Sequence, residues 1–142
     1  MGGPVAFERR FDMSFVPGLA EQDQGNNGIG NMIYNPGNEP SFMTLFLYNY
    51  IRRKQWKSVM RSTFVVDKYY HVGASGIPGN DDAGGMSSWL VWNMLGFYPV
   101  VTQPADLVLS PRFEDIRIRL GEVGGILCIT AIGLEEGLHP KS

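Results

Sequence analysis

A chain of 142 residues, 44% hydrophobic and 18% charged, has the size and composition of about one globular domain. The formal charge of -2 and pI near 5.6 provide no basic surface for a phosphate backbone, and cations cluster only at Arg52-Arg53-Lys54, which argues against nucleic-acid binding. A single cysteine, Cys128, excludes an internal disulfide framework and a multi-cysteine metal site, and no apolar run approaches the roughly 18 residues of a membrane-spanning helix. The opening MGGPVAFERRFDMSFVPG lacks the basic start and uninterrupted apolar core of a secretory signal.

From Gly18 to Pro40, glycine, asparagine and proline dominate and the segment reads as loop. From Ser41 to about Arg53, Phe42, Leu45, Phe46, Asn49 and Tyr50 recur at three- and four-residue spacing, which predicts an amphipathic helix with basic residues at its C-terminal end. A second helix is expected over about 55–70, with Trp56, Val59, Met60, Phe64 and Val66 on one broad stripe, so the two form a helical hairpin. A glycine-rich loop follows, GIPGNDDAGG, and leads into a third helix over 86–96 that Gly96 can end in the left-handed conformation. Beyond Pro104 the period changes from helical to alternating. Strands are expected near 106–109, 116–120 and 126–132, the last of them more buried, and the tail from Glu135 has no packing pattern.

Two acidic loops each stand immediately before a helix. Asp81 and Asp82 sit in the quoted glycine-rich loop, where either can serve as an N-cap that favours the helix dipole. A cap does not require Gly79, Gly84 and Gly85, which let the backbone turn sharply and approach a ligand. Glu39 lies in the matching stretch Asn35-Pro36-Gly37-Asn38-Glu39-Pro40. Two such loops at two helix starts point to one shared face carrying Asp81, Asp82 and Glu39.

The runs Asn38-Glu39-Pro40-Ser41, Leu47-Tyr48-Asn49-Tyr50, Gly76-Ile77-Pro78-Gly79-Asn80-Asp81-Asp82-Ala83-Gly84, Met86-Ser87-Ser88-Trp89, Leu95-Gly96-Phe97-Tyr98-Pro99-Val100 and Ser110-Pro111-Arg112-Phe113 resemble, in order and spacing, the C-terminal part of glycoside hydrolase family 92. The resemblance covers about residues 30–120. It implies a calcium-dependent, inverting, exo-acting α-mannosidase built from a β-sandwich and a catalytic helical toroid. By that resemblance Asp81 and Asp82 match the base motif, and their like charges would raise one another's proton affinity. Glu39 matches a motif lining the mannose subsite near calcium and is the tentative metal ligand. Asn38, Glu39 and Asn80 are the expected substrate-binding residues, mannose-containing glycans the expected partners, and an extracellular or secretory setting goes with the family.

The implied fold class is mainly α with β: partial (α/α) toroid helices over 1–104, loop-rich to residue 40, then a short antiparallel β segment with an irregular tail over 105–142. The family's general-acid motif, Glu-Gly-x-x-Trp-x-Tyr before Val-Pro-His-Asp, has no counterpart. Alignment on Val16-Pro17 puts Ala6 at the acid position, with Glu8 two places off, and Gly18-Leu19 where His-Asp is expected. The first residues thus read as lying outside the family pattern, the likeness fades after Leu120, and the chain reads as a fragment. Two functions follow: the site-bearing piece of an exo-α-mannosidase, or an inactive remnant acting as a carbohydrate- or calcium-binding or interaction module. A partial toroid leaves helix faces uncovered, so self-association is expected as well. Trp56, Trp89 and Trp92 read as core aromatics, Cys128 as a small buried hydrophobe, and His71 and His139 as surface residues.

Overall fold

The computed structural model describes residues 2–16, 33–122 and 124–134. Most of the expected 18–40 loop, His139 and the tail from Glu135 lie outside the described residues. Helices precede antiparallel strands as the change of period requires, in the order α1 (Gly3–Met13), two 3-10 helices (Glu39–Ser41 and Thr44–Tyr50), α2 (Gln55–Tyr69), α3 (Gly85–Leu95), β1 (Phe97–Pro99), β2 (Asp106–Val108), β3 (Asp115–Leu120) and β4 (Gly125–Thr130). They divide into two compact units, Met1–Trp89 and Leu90–Ser142.

Helix α1 has no counterpart among the sequence expectations. Its signal is a four-residue repeat. Phe7 stacks on Phe11 at 5.7 Å, Phe11 meets Phe15 edge-on at 5.6 Å, and Glu8 and Asp12 share the same four-residue step. Phe11 and Phe15 then join Tyr34 and Tyr48 in a buried aromatic cluster, with Phe11–Tyr48 centroids 4.6 Å apart and Phe15–Tyr34 centroids 5.1 Å apart.

The expected α-helix over 41–53 is replaced by the two 3-10 helices. In a 3-10 helix residues three apart eclipse, which aligns Leu45 with Tyr48, and both are fully buried. The segment ends at Ile51, which is extended, and Arg53 at φ 62 turns the chain into α2.

Helix α2 faces the opposite way from its hydrophobic pattern. Ser58, Ser62, Val65 and Val66 are buried, while Trp56, Met60 and Phe64 are 56%, 41% and 42% exposed. Small serines let the helix approach the neighbouring 3-10 segment closely, and the large side chains form an outward ridge at four-residue spacing. The core reading therefore fails for Trp56. It holds for Trp89, 2% exposed, against Phe42, Phe46 and Tyr70. Trp92 is 39% exposed.

In the second unit, Gly96 adopts φ 81 where α3 ends, as expected, and a side chain there would lie 2.6 Å from the Pro111 backbone nitrogen. β1 pairs antiparallel with β2 in the register Tyr98 to Leu107, and β3 with β4 in the register Arg117 to Cys128. β1 was not anticipated; its three residues are too short to carry an alternating pattern. The expected burial of the last strand is wrong. Ile126, Leu127 and Cys128 are exposed, and β4 pairs with β3 alone in a two-stranded sheet.

Candidate functional site

The two acidic loops close on each other through glycine. A Cβ on Gly37 would lie 2.6 Å from the Pro78 carbonyl oxygen, and one on Gly79 would collide with the Gly37 carbonyl. Only hydrogen at both positions permits this approach. Asn35 Oδ1 fixes the first loop by accepting the Gly37 N–H at 2.9 Å.

The second loop turns through three consecutive left-handed residues, Asp82 (φ 29), Ala83 (φ 58) and Gly84 (φ 84). For the two non-glycine residues this conformation costs roughly 1–3 kcal/mol each, a cost that persists only where surrounding contacts enforce it. Asp81 provides those contacts. Its carbonyl accepts the Gly85 N–H at 2.6 Å, and its carboxylate accepts the Ser87 N–H at 2.8 Å and the Ser87 hydroxyl at 2.7 Å. Asp81, of the two candidates, caps α3. The Ser87 hydroxyl, then the Ser87 N–H, hold its carboxyl below the ordinary 3.8. The expected upward push from a like-charged neighbour is therefore not what governs Asp81. Asp82 is left exposed at the apex of the turn, as is Asn80 just before it.

Glu39 comes to the same place from the other loop. A Cβ on Gly85 would meet Glu39 Cγ at 3.4 Å and the Phe42 ring at 3.5 Å, so the Glu39 stem lies against the first turn of α3. Its Oε1 is buried and has no hydrogen-bond partner among the described residues. Asn38 precedes it at the start of the 3-10 helix, half-buried and extended, with no side-chain cap bond. The structure thus brings Glu39 and Asp81 to one helix start, with Asp82 on the adjoining turn.

Sequence reasoning missed Tyr70. Its ring stacks on Trp89 at 5.7 Å and 16°, and its hydroxyl lies 3.5 Å from the Met86 carbonyl. Burial, then the negative charges of Asp81 and Glu39, push its phenol above the ordinary range. A single aromatic just before a loop gives no sequence signal of this kind.

Glu8, the nearest carboxylate to the missing acid position, is spoken for. Its Oε1 takes Lys57 at 2.7 Å and Lys54 at 2.9 Å, and hydrogen bonds from Lys57 and then Lys54 hold its carboxyl below the ordinary value. A general acid needs the opposite shift.

The Glycosyl hydrolase family 92 catalytic domain matches residues 1–138. The chain belongs to glycosyl hydrolase family 92. The match from residue 1 corrects the expectation that the first residues fall outside the family pattern, and its extent to residue 138 corrects the fading after Leu120. An uncharacterized secreted glycosidase of Arthroderma benhamiae is 36% identical over 89 residues, 63% of this chain and 11% of that protein. The family GH92 α-mannosidase BT3965 of Bacteroides thetaiotaomicron superposes with a TM-score of 0.78 at 34% identity, over 92% of this chain and 17% of that one. Its complex with mannoimidazole superposes with a TM-score of 0.79 over the same shares. This chain therefore spans 11% and 17% of the lengths of these relatives.

For calcium, Glu39 Oε1 is a hard, unpaired oxygen of the right kind. Among the described residues, no three Asp, Glu, His or Cys side chains come together as a metal-binding group. The described side chains therefore fit calcium as a single ligand and not as a complete shell.

Proposed function

We propose that this chain carries part of the sugar-binding and base-bearing site of an inverting exo-α-mannosidase acting on terminal α-mannose of glycans. The observation that carries the reading is the closure of the Asn38-Glu39 loop on the Asn80-Asp81-Asp82 loop at the start of α3, in a family 92 chain. The mannoimidazole-bound α-mannosidase that it superposes on supports mannose as the sugar. An extracellular setting goes with this reading.

Inversion needs a carboxylate that draws a proton from water, and an acid about 6.5 to 9.5 Å away that protonates the leaving oxygen. Asp82 is assigned the base, since it is exposed and Asp81 is committed to Ser87. Asp81 holds the turn that presents Asp82. Glu39, Asn38 and Asn80 are assigned to sugar hydroxyls, with Glu39 also one calcium ligand. Calcium would supply positive charge that orients those hydroxyls, the rest of its shell coming from outside the described side chains. Neither candidate position supplies the acid, because Ala6 has no acidic group and Glu8 is paired with two lysines.

The test compares two substrates, an activated aryl α-mannoside and α-linked mannobiose, with calcium or with a chelator. An activated leaving group needs little acid help, so turnover is expected on the aryl mannoside first, calcium-dependent and with inversion. Hydrolysis of mannobiose at a comparable rate would overturn the assignment of a missing acid. Retention of configuration would overturn the mechanism.

A further inference from the structure

Tyr70 follows the last turn of α2 and is fixed at its backbone and at its ring. Its N–H bonds the Val66 carbonyl at 3.1 Å, and its ring lies on Trp89, which itself stacks on Phe42 at 6.0 Å and donates its indole N–H to the Phe42 carbonyl at 3.4 Å. A ring locked in such a stack has little freedom to re-aim its hydroxyl.

That hydroxyl is underused. Its contacts are the Met86 carbonyl at 3.5 Å, the outer limit for a hydrogen bond, and the Met86 sulfur at 3.7 Å, a weak acceptor. The residues on either side of Met86 carry the two acidic loops: the Glu39 stem lies against Gly85, and the Asp81 carboxylate binds Ser87. Burial, then Asp81 and Glu39, hold the phenol above its ordinary 10.0, so at neutral pH it is a proton donor. Glu39, whose stem lies against the neighbouring Gly85, keeps Oε1 as a buried acceptor with no partner among the described residues.

A group that completes both must accept from Tyr70 and donate to Glu39. An alcohol does both. A carboxylate has no proton to give Glu39, a phosphate is repelled by the Glu39 charge, and an ammonium has no lone pair for Tyr70. We propose that Tyr70 is a substrate-binding residue that, together with Glu39, reads one hydroxyl of the sugar. The proposal rests on the α-mannosidase reading, and a carboxylate has acceptor sites enough for a hydroxyl and an ion together.

The test measures binding of mannoimidazole to the full chain with calcium present, by calorimetry, for wild type and Tyr70→Phe. The phenylalanine keeps the stack, so melting temperature and near-ultraviolet circular dichroism should be unchanged while binding weakens about three- to tenfold. A set of monodeoxy methyl α-mannosides then separates contact from packing. Wild type should lose affinity with the analogue lacking the contacted hydroxyl, and Tyr70→Phe should lose no more with that analogue. Equal binding by wild type and a folded Tyr70→Phe overturns the role of Tyr70 and leaves the α-mannosidase reading standing. Failure of wild type to bind overturns that reading and this proposal with it. Should Tyr70→Phe not fold, carbon-13 labelling of the tyrosines decides on wild type alone: the Tyr70 Cζ signal must shift on ligand addition, and a fixed signal overturns the proposal.

Discussion

Two sets of carboxylates in the first unit have opposite fates. Glu8 and Asp12 on α1 are both engaged by cations: Lys57 lies 2.7 Å from each, Lys54 adds a second contact to Glu8, and the Tyr48 hydroxyl donates to Asp12 at 2.6 Å. In the loop pair, only Asp81 is engaged. Glu39 keeps a buried oxygen without a partner among the described residues, and Asp82 stands exposed on a left-handed turn. An acidic group that satisfies a lysine stabilises the fold and has nothing left for a ligand. An acidic group held in place by other residues, with its own oxygens unspent, is where chemistry can be done.

The sharpest test of this contrast is inside the loop pair. Asp82→Asn should reduce turnover of the aryl mannoside by about a hundredfold or more, the scale of a lost general base, and leave the melting temperature unchanged. Asp81→Asn should lower both, because it removes a charged acceptor from Ser87 as well as disturbing the turn. Thermal melts run beside the kinetics separate the two. Equal melting temperatures for both variants would show that Asp81 is not the structural member of the pair.

Closing of the loops comes next in size. Gly79→Ala puts a methyl group into the Gly37 carbonyl and should destabilise the chain by about 1–3 kcal/mol, the range for overpacking. Urea denaturation measures it. Because the strain falls between the loops, sugar binding should weaken along with stability, and a variant that melts early but binds normally would separate loop closure from the site.

On α1 the effect is on stability alone. Lys57→Met leaves Asp12 and Glu8 without their shared cation and should lower the melting temperature, by less than loss of a fully buried pair because Asp12 is partly exposed. The pH dependence follows from the direction of each shift. Burial alone would raise the Asp12 carboxyl, but the hydrogen bonds from Lys57 and Tyr48 outweigh it and hold it below the ordinary 3.8. Its contribution is therefore present above about pH 3.8 and lost as pH falls through the lower folded value. For Lys57, burial alone would lower the ammonium, and Asp12 and Glu8 outweigh it, so it lies above the ordinary 10.5. That contribution is present below pH 10.5 and lost as pH rises through the folded value. In Lys57→Met both edges of the stability profile should flatten, while binding of mannoimidazole stays as in wild type.

How much of this could be read from sequence depends on what each signal measures. Glycine spacing and adjacent carboxylates encode backbone freedom and charge, both local, so the two loops and their residues Glu39, Asp81 and Asp82 were legible. The division of labour between Asp81 and Asp82 was not, since it depends on which one faces Ser87 after a three-residue left-handed turn. Hydrophobic period located α2 and α3 but misjudged which face of α2 is inside, because buried Ser58 and Ser62 carry no apolar signal. The same weakness affected β4, whose apolar run predicts burial but whose residues are mostly exposed. Tyr70 was invisible because its meaning is entirely in its surroundings.

The outward ridge of α2 yields the smallest effect and the last test. Trp56, Met60 and Phe64 present apolar surface on one helix face, and burying such surface is favourable wherever a complementary surface is met. Self-association of the chain through this face is therefore expected, though weakly, because the ridge also carries charge: Lys68 lies 5.2 Å from the Phe64 ring centroid. Two copies that meet ridge to ridge bring like charges together, which limits the affinity at low ionic strength and makes salt strengthen it through screening. Sedimentation velocity over a concentration series should detect a dimer that grows with added salt. Met60→Lys, at an already exposed position, should abolish it without lowering the melting temperature. A dimer that persists in Met60→Lys would place the contact elsewhere, with the exposed Ile126 and Leu127 of β4 the next surface to vary.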